Sequence, residues 1–406
     1  MDVELSKGRK ILFVVTIMLS ALIPMADFVV IPIFPVWYGD FDGNMVNVAT
    51  TGPLLMMAIG SVVVGSLCRL ISKKWILAGS MLLFALASIS TVAFYDIAWI
   101  IACRIVIGFT MGTSMVTCFS LIADIFKSEK QRSTMMGVFN GAMTVYGMVF
   151  GMAAGFLALS SWRNVFGIYW LSVPVFVMII LFVPSVSIKW KGDEGDEADD
   201  GGIDWLKLMA ICASSVVFLI LYNAFLYLSG VYVEQTGIGD SAFTGTLTTV
   251  ATFGGLVASI IFGMVYGKIS RASIAVSFIF AAVSLFIMFA FPSVPVALIG
   301  SALLGFANSN ALAYYPMQCS VIAPESKNAA VIGINNAAIA VGSMLSSFVV
   351  TALLVIMRVD TVRETFSILA LAGAVAAVIS IILAIRSLKA KSCESDFQAF
   401  NSQEQS

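Results

Sequence analysis

The sequence predicts an all-α membrane protein of twelve transmembrane helices, arranged as two pseudo-symmetric six-helix bundles. Three observations predict it. Apolar residues make up 60% of the 406-residue chain and charged residues only 11%, against roughly 45–50% apolar usage in soluble domains. The apolar residues gather into runs of about twenty, the length a helix needs to cross the hydrocarbon core. Landmark residues of the first half also return in the second, at a nearly constant offset of about 196–198 positions.

The opening MDVELSKGRK leads into an apolar run over 11–34. That run is too long for a signal-peptide core and lacks a small-residue cleavage site, so it is expected to remain as span 1. Spans 2 to 6 follow over 46–67, 75–94, 97–121, 134–158 and 165–183. Next comes SIKWKGDEGDEADDGGID, the one long charged stretch before the tail. Spans 7 to 12 are expected over 206–231, 242–266, 273–291, 296–315, 329–356 and 365–385. The chain therefore divides into an N-terminal bundle over 1–187, an acidic cytoplasmic linker over 188–204, a C-terminal bundle over 205–390 and a cytoplasmic tail over 391–406. The acidic run Asp193–Asp200 reads as a solvated loop between the bundles.

Basic residues orient the spans, because cytoplasmic loops carry an excess of Lys and Arg. With both termini in the cytoplasm, that side holds Lys7, Lys10, Arg69, Lys73, Lys74, Arg132, Lys268 and Arg271 among others. The outside keeps only Arg163, Arg358 and Arg363. The compact loops and tails suit a prokaryotic plasma membrane.

Composition also excludes function classes. A net charge of -1 lacks the basic footprint of nucleic-acid binding. The chain has no histidine, which removes imidazole catalysis and histidine metal sites. Its six cysteines show no metal-ligand spacing. Neither a G-x-S-x-G motif nor an intramembrane carboxylate cluster is present, so an enzyme is not expected and no cofactor is called for. The expected partners are a small-molecule substrate, protons and the lipid bilayer, with the protein acting as a monomer.

The repeat is specific enough to argue from. Gly65 at the inner end of span 2 recurs as Gly263 in span 8, with basic residues after each. Ile107-Gly108-Phe109 in span 4 recurs as Leu304-Gly305-Phe306 in span 10, and Gly137 and Asn140 in span 5 recur as Gly333 and Asn336 in span 11. Repeated halves mark secondary transporters, which hold substrate near the midplane between the repeats. A receptor or scaffold without transport, the reading from another class, has no need of that symmetry.

Two opposite charges lie well inside apolar spans, Asp27 in span 1 and Arg104 in span 4. An intramembrane charge costs at least about 2.5–3.5 kcal/mol on insertion scales, so such residues are functional candidates. At 1.5 Å per residue both sit roughly 10–13 Å below the outer face. Burial favours a neutral carboxyl and a nearby guanidinium favours a charged one. Making and breaking the pair would therefore move a proton. By the repeat, Arg104 corresponds to Ser301 and Asp27 to the neighbourhood of Asn223 and Ala224, so coupling is expected from the first half alone. Weakly polar and aromatic residues near mid-membrane are the candidate substrate contacts: Tyr146 on span 5, Asn223 and Tyr227 on span 7, Phe253 on span 8, and Asn308 and Asn310 on span 10.

Several motifs together resemble the major facilitator superfamily, over essentially the whole chain outside the tails. Gly65-Ser-Leu-Cys-Arg69-Leu-Ile-Ser72-Lys73-Lys74 is similar to the family's G-x-x-x-D-R-x-G-R-R loop. Arg104-Ile-Val-Ile-Gly108 resembles the R-x-x-x-G motif of proton-coupled members, and Ile122-Ala-Asp124-Ile-Phe126-Lys-Ser-Glu129-Lys-Gln-Arg132 resembles the loop between spans 4 and 5. Trp162-Arg163-Asn-Val-Phe166 is similar to the opening of span 6, and Asp27 with Pro32 and Pro35 resembles the first span of drug/proton antiporters. The resemblance implies the major facilitator fold, alternating access, proton coupling through Asp27 and Arg104, and export of a hydrophobic or amphiphilic small molecule. Proton-coupled uptake of an organic anion or metabolite, with Arg104 on the substrate, uses the same parts. Two departures stand out. Arg69 replaces the loop aspartate, so the cytoplasmic gate is expected to use Gly65, Arg69, Lys73 and Asp124, with Asp124 accepting Arg69 or Lys73. Span 5 has Gly147-Met148-Val-Phe-Gly151 where antiporters show G-P-x-x-G-G.

Overall fold

Prolines at 24, 32 and 35 keep the first span from forming one continuous helix, because proline cannot donate the i to i−4 hydrogen bond. The computed structural model, which describes residues 7–185, 203–356 and 361–404, builds α1 as Lys7–Ser20, a 3-10 turn Ile23–Met25, a short helix Asp27–Val30, a second 3-10 turn Ile31–Ile33 and Phe34–Asp40. The single rod expected over 11–34 is thus corrected to a broken one. The break falls at Asp27.

The other elements are helices, each of spanning length except the helix of span 6, which reaches it with the 3-10 segment before it. They are α2 (Gly43–Leu70), α3 (Lys73–Ser90), α4 (Ile97–Ile125), α5 (Glu129–Ala158) and α6 (Ser172–Phe182), the last entered through a 3-10 segment Trp162–Leu171. The second half holds α7 (Trp205–Thr236), α8 (Ser241–Ile269), α9 (Ser273–Ala290), α10 (Val294–Ile322), α11 (Asn328–Ile356) and α12 (Val362–Glu404). Among the described residues, eleven apolar stretches are long enough to cross a membrane; one of them, Phe243–Ala290, spans 48 residues. It contains both α8 and α9, joined at a sharp turn where Ser270 has φ +43°. That restores the expected twelve.

The last span, expected over 365–385, lies within the apolar stretch Val362–Ile385. Its helix runs on beyond the span, unbroken to Glu404. The sequence there, RSLKAKSCESDFQAFNSQE, has no Gly or Pro to end a helix. The acidic run 193–200, most of the linker and Arg358 lie outside the described residues.

The two halves repeat each other in packing as well as in order. In the first, Ser80 of α3 bonds Thr113 of α4 at 2.8 Å; in the second, Asn310 of α10 donates to Ser277 of α9 at 2.8 Å. In the first, Gly108 of α4 lies so close to α2 that a Cβ would stand 2.4 Å from the Pro53 Cα. In the second, a Cβ on Gly305 of α10 would stand 2.7 Å from the Ala251 Cα of α8. Small residues allow such approach, which is how helices gain dispersion contacts in lipid. The halves meet along α2 against α11 and α5 against α8.

Candidate functional site

The broken first span delivers Asp27 to Arg104. Arg104 stands two turns into α4 and its side chain is wholly buried. Its Nη1 donates to Asp27 Oδ1 at 2.8 Å and its Nε donates to the Ala49 carbonyl of α2 at 3.0 Å. Nη2 is buried without a partner. The Asp27 side chain keeps 23% of its exposure against 1% for Arg104, so the carboxylate is the more open member of the pair. Tyr169, from the 3-10 entrance to α6, donates to the Ala26 carbonyl at 2.8 Å, anchoring the break beside the pair. One guanidinium thus ties α1, α2 and α4 together.

A second constellation lies between the halves, toward the end of the molecule that carries Lys73, Lys127 and Lys268 (the basic face). Asn140 of α5 donates to Ser259 Oγ of α8 at 2.9 Å, and Asn336 of α11 donates to Ser61 Oγ of α2 at 2.6 Å. These bonds are repeat mates, since the two asparagines and the two serines each stand apart by the repeat offset of about 196–198 positions. Glycines bring the backbones within reach. A Cβ on Gly333 would stand 2.1 Å from the Ser61 carbonyl oxygen, and one on Gly137 would stand 2.7 Å from that of Ser259. Gly65 faces Ala330 at 2.7 Å and Gly263 faces Thr134 Oγ1 at 2.4 Å in the same sense. The landmarks of the sequence repeat are the contact points of the seal.

Nearer the basic face, Arg132 donates to the Ser320 carbonyl at 3.0 Å. Tyr266 donates to Glu129 at 3.1 Å and receives Gln318 at 2.6 Å. All these links between halves lie from mid-membrane to the basic face. Toward the other end, Gly52, Gly155 and Gly245 on the same interface helices have nothing within 4 Å of a Cβ position. Among the described residues, the side-chain hydrogen bonds between the halves gather toward the basic face.

At the far end the first bundle is pinned by rings. Trp162 packs against Trp37 at 6.3 Å and Tyr95 at 5.5 Å, with the Arg163 guanidinium over both Tyr95 and Trp162. Tyr95 donates to the Asp40 carboxylate, and that bond raises the phenol above its ordinary range. At the basic face Asp204 is held below its ordinary value, first by its hydrogen bond to Lys207.

The expected gate residues divide. Lys73 Nζ meets Asp124 Oδ2 at 2.6 Å, nearly buried, and this pair staples α3 to α4 within the first bundle. Gly65 lies instead at the contact with α11. The Arg69 side chain falls outside the described residues.

The expected substrate contacts divide too. Asn223 donates to the Leu219 carbonyl at 2.9 Å and to Ser343 Oγ of α11 at 3.2 Å. Tyr227, one turn further on the same face, is 53% exposed. Tyr146 is partly buried, its ring 5.2 Å from Phe150. Asn308 has a buried Oδ1 without a partner. Asn310 is corrected: it is fully buried and donates to the Ser273 carbonyl and Ser277 Oγ, which makes it the link between α9 and α10. Phe253 is corrected as well. With Val257, Ile260 and Met264 it forms an i, i+4, i+7, i+11 stripe, each more than half exposed along the length of α8. A face open even where the halves are sealed is a face toward lipid.

Of the seal, Gly65 was among the expected gate residues, and the two asparagines were not among the expected site residues. Asn140 and Asn336 were visible as repeat landmarks, and their recurrence in register was the available signal.

Comparison with known proteins agrees with this architecture. A model of the Major Facilitator Superfamily matches residues 16–239, and one of the Sugar (and other) transporter family matches 203–386. The chain is 26% identical over 347 residues to the uncharacterized MFS-type transporter YtbD of Bacillus subtilis (strain 168), covering 80% of this chain and 84% of that one. It is also 26% identical to the arabinose-proton symporter of Escherichia coli (strain K12), over 35% of this chain and 30% of the symporter. Among solved structures, the human organic anion transporter MFSD10 (TETRAN) superposes with a TM-score of 0.72 at 13% identity, covering 92% of this chain and 100% of that one. The proton:xylose symporter XylE superposes with a TM-score of 0.70 at 15% identity, covering 92% and 95%. These relatives are transporters, not enzymes. With a family model matched over more than half of its length, the chain belongs to the major facilitator superfamily.

Proposed function

We propose that this protein is a proton-coupled secondary transporter working by alternating access, with Asp27 as the proton carrier and Arg104 as its fixed partner. The observation that carries this reading is the 2.8 Å pair, in which the cation is wholly buried and the carboxylate is partly open. A buried pair is weak value as a structural fastener, whereas a pair that opens and closes can load and unload a proton. Arg104 stays charged throughout. The basic face, where Lys10 stands over the Phe126 ring, is read as the cytoplasmic one under the positive-inside rule, and on that reading the protein is outward-facing. The protein acts as a monomer in a prokaryotic plasma membrane.

The motif pattern of the first span favours export of a hydrophobic or amphiphilic molecule. A second reading, proton-driven uptake of a small polar solute, is favoured by a different observation. Asn308 Oδ1 is a buried acceptor without a donor, and a hydroxyl or amine on a solute would satisfy it. The names of two relatives as proton symporters lean the same way.

The test is transport by the purified chain in liposomes under an imposed pH gradient, with amphiphilic dyes, sugars and organic anions as substrates. Asp27→Asn should assemble normally and carry out exchange but lose gradient-driven accumulation. Full accumulation by that variant would overturn the coupling assignment. The direction of accumulation relative to the gradient decides between the two substrate readings.

A further inference from the structure

Between α7, α9, α10 and α12 the second bundle holds a cavity of about 550 Å³. It runs from the basic face into the membrane and is lined largely by apolar side chains, including Val217, Phe278, Ile322, Ile379 and Leu383. Ile379 and Leu383 are 51% and 52% exposed, so the cavity opens sideways to the bilayer. Arg271 lines it at the basic face, in the turn between α8 and α9.

The first bundle shows what Arg271 lacks. There the corresponding basic position, Lys73 at the start of α3, is neutralised by Asp124 near the end of α4. The repeat offset places the counterpart of Asp124 within 320–322 of α10, and that stretch reads Ser, Val, Ile. Ile322 lines the same cavity as Arg271. Among the described residues no carboxylate pairs with the Arg271 guanidinium. Lys207, also at the mouth, is exposed and already paired with Asp204 at 2.6 Å. The second bundle therefore keeps the cation, drops its anion and opens an apolar cavity beside it.

We propose that this cavity is a binding site for an anionic phospholipid of the adjacent leaflet, with the phosphate taking the place of the missing carboxylate at Arg271 and an acyl chain lying along Phe278, Ile379 and Leu383. Basic pockets between helices on the cytoplasmic side suit such headgroups, and each methylene buried adds to the binding. The lateral opening and the apolar lining select a lipid over a soluble anion. The assignment of the leaflet as cytoplasmic rests on the orientation proposed above, but lipid binding to the purified chain does not depend on it or on proton coupling.

Native mass spectrometry of the full chain in detergent, with phosphatidylglycerol or phosphatidylcholine added, tests the proposal. The wild type should retain phosphatidylglycerol in preference to phosphatidylcholine, by roughly fivefold for one unscreened cation near the surface. Arg271→Gln should erase the preference and Arg271→Lys should keep most of it. Ile322→Asp, which supplies the second half with its own carboxylate, should also erase it. Melting temperatures measured without added lipid identify any variant that has failed to fold, and Arg271→Gln and Ile322→Asp then stand in for one another. Unchanged preference in both Arg271→Gln and Ile322→Asp overturns the proposal. So does equal retention of the two lipids by the wild type, or tight binding of glycerol phosphate alone.

Discussion

Asn140 and Asn336 occupy equivalent positions in the two halves, and each donates to a serine of the opposite half, at 2.9 Å to Ser259 and 2.6 Å to Ser61. The seal at the basic face is therefore built twice from one plan. Each bond crosses the boundary that the proposed alternating access would open as the far face closes. Such bonds are cheap enough to break and directional enough to define the closed position.

Removing one of them should shift the balance of states without unfolding the protein. An interhelical hydrogen bond in a membrane averages about 0.6 kcal/mol, a factor of roughly three in population. Asn336→Ala should move the protein toward the arrangement open at the basic face by about that factor, and the double variant with Asn140→Ala by about its square. Spin-label distances between α2 and α11 measure the shift. Unchanged distance distributions in the double variant would remove the pair from the gate.

Glycine at 333 is required by the approach itself. A Cβ there would stand 2.1 Å from the Ser61 carbonyl oxygen, a backbone atom that cannot step aside. Gly333→Leu should prevent closure at the basic face and abolish transport while leaving the helices intact. Gly155→Leu, where nothing lies within 4 Å, should be nearly neutral. Circular dichroism and transport on the two variants separate a gating defect from misfolding.

The Asp27–Arg104 pair should behave as a unit. Taking one partner from a fully buried pair costs about 3–5 kcal/mol, because the other is left uncompensated, and the partial exposure of Asp27 should keep the loss here below that. Arg104→Gln also strands the Ala49 carbonyl, so its cost should exceed that of Asp27→Asn. The double variant should be more stable than the sum of the singles predicts, by thermal unfolding in detergent. Additive losses would mean that the two side chains do not interact in the folded state.

Much of this was legible in the sequence, for identifiable reasons. The bilayer imposes span length and orientation on composition, so twelve spans could be counted from hydropathy. The isolation of Asp27 and Arg104 in apolar surroundings made their pairing the natural expectation. Side-chain direction was not legible. Asn310 and Asn308 are two residues apart on α10, yet one is consumed by Ser273 and Ser277 of α9 and the other holds an unpartnered oxygen. A helix turns 100° per residue, so knowing that an amide sits at mid-depth does not say which neighbour it meets. Phe253 failed for the same reason, since α8 shows one face to α5, another to α10 and a third to lipid. The break in the first span was signalled by Pro24 and Pro32, but hydropathy alone reads through prolines.

Two ion pairs at the basic face, of nearly equal length, should differ sharply in worth. Lys73–Asp124 and Lys207–Asp204 both measure 2.6 Å, but the side chains of the first are 2% and 10% exposed and those of the second 58% and 40%. Water and salt screen the exposed pair and leave it little net value. The buried pair has no such solvent, and loss of Asp124 leaves a lysine cation stranded where α3 meets α4. Asp124→Asn should lower the melting temperature by several degrees, insensitive to salt, and Asp204→Asn should leave it unchanged. A similar response from the two variants would mean that the α3–α4 staple is as solvated as the surface pair, and that its burial does not govern its strength.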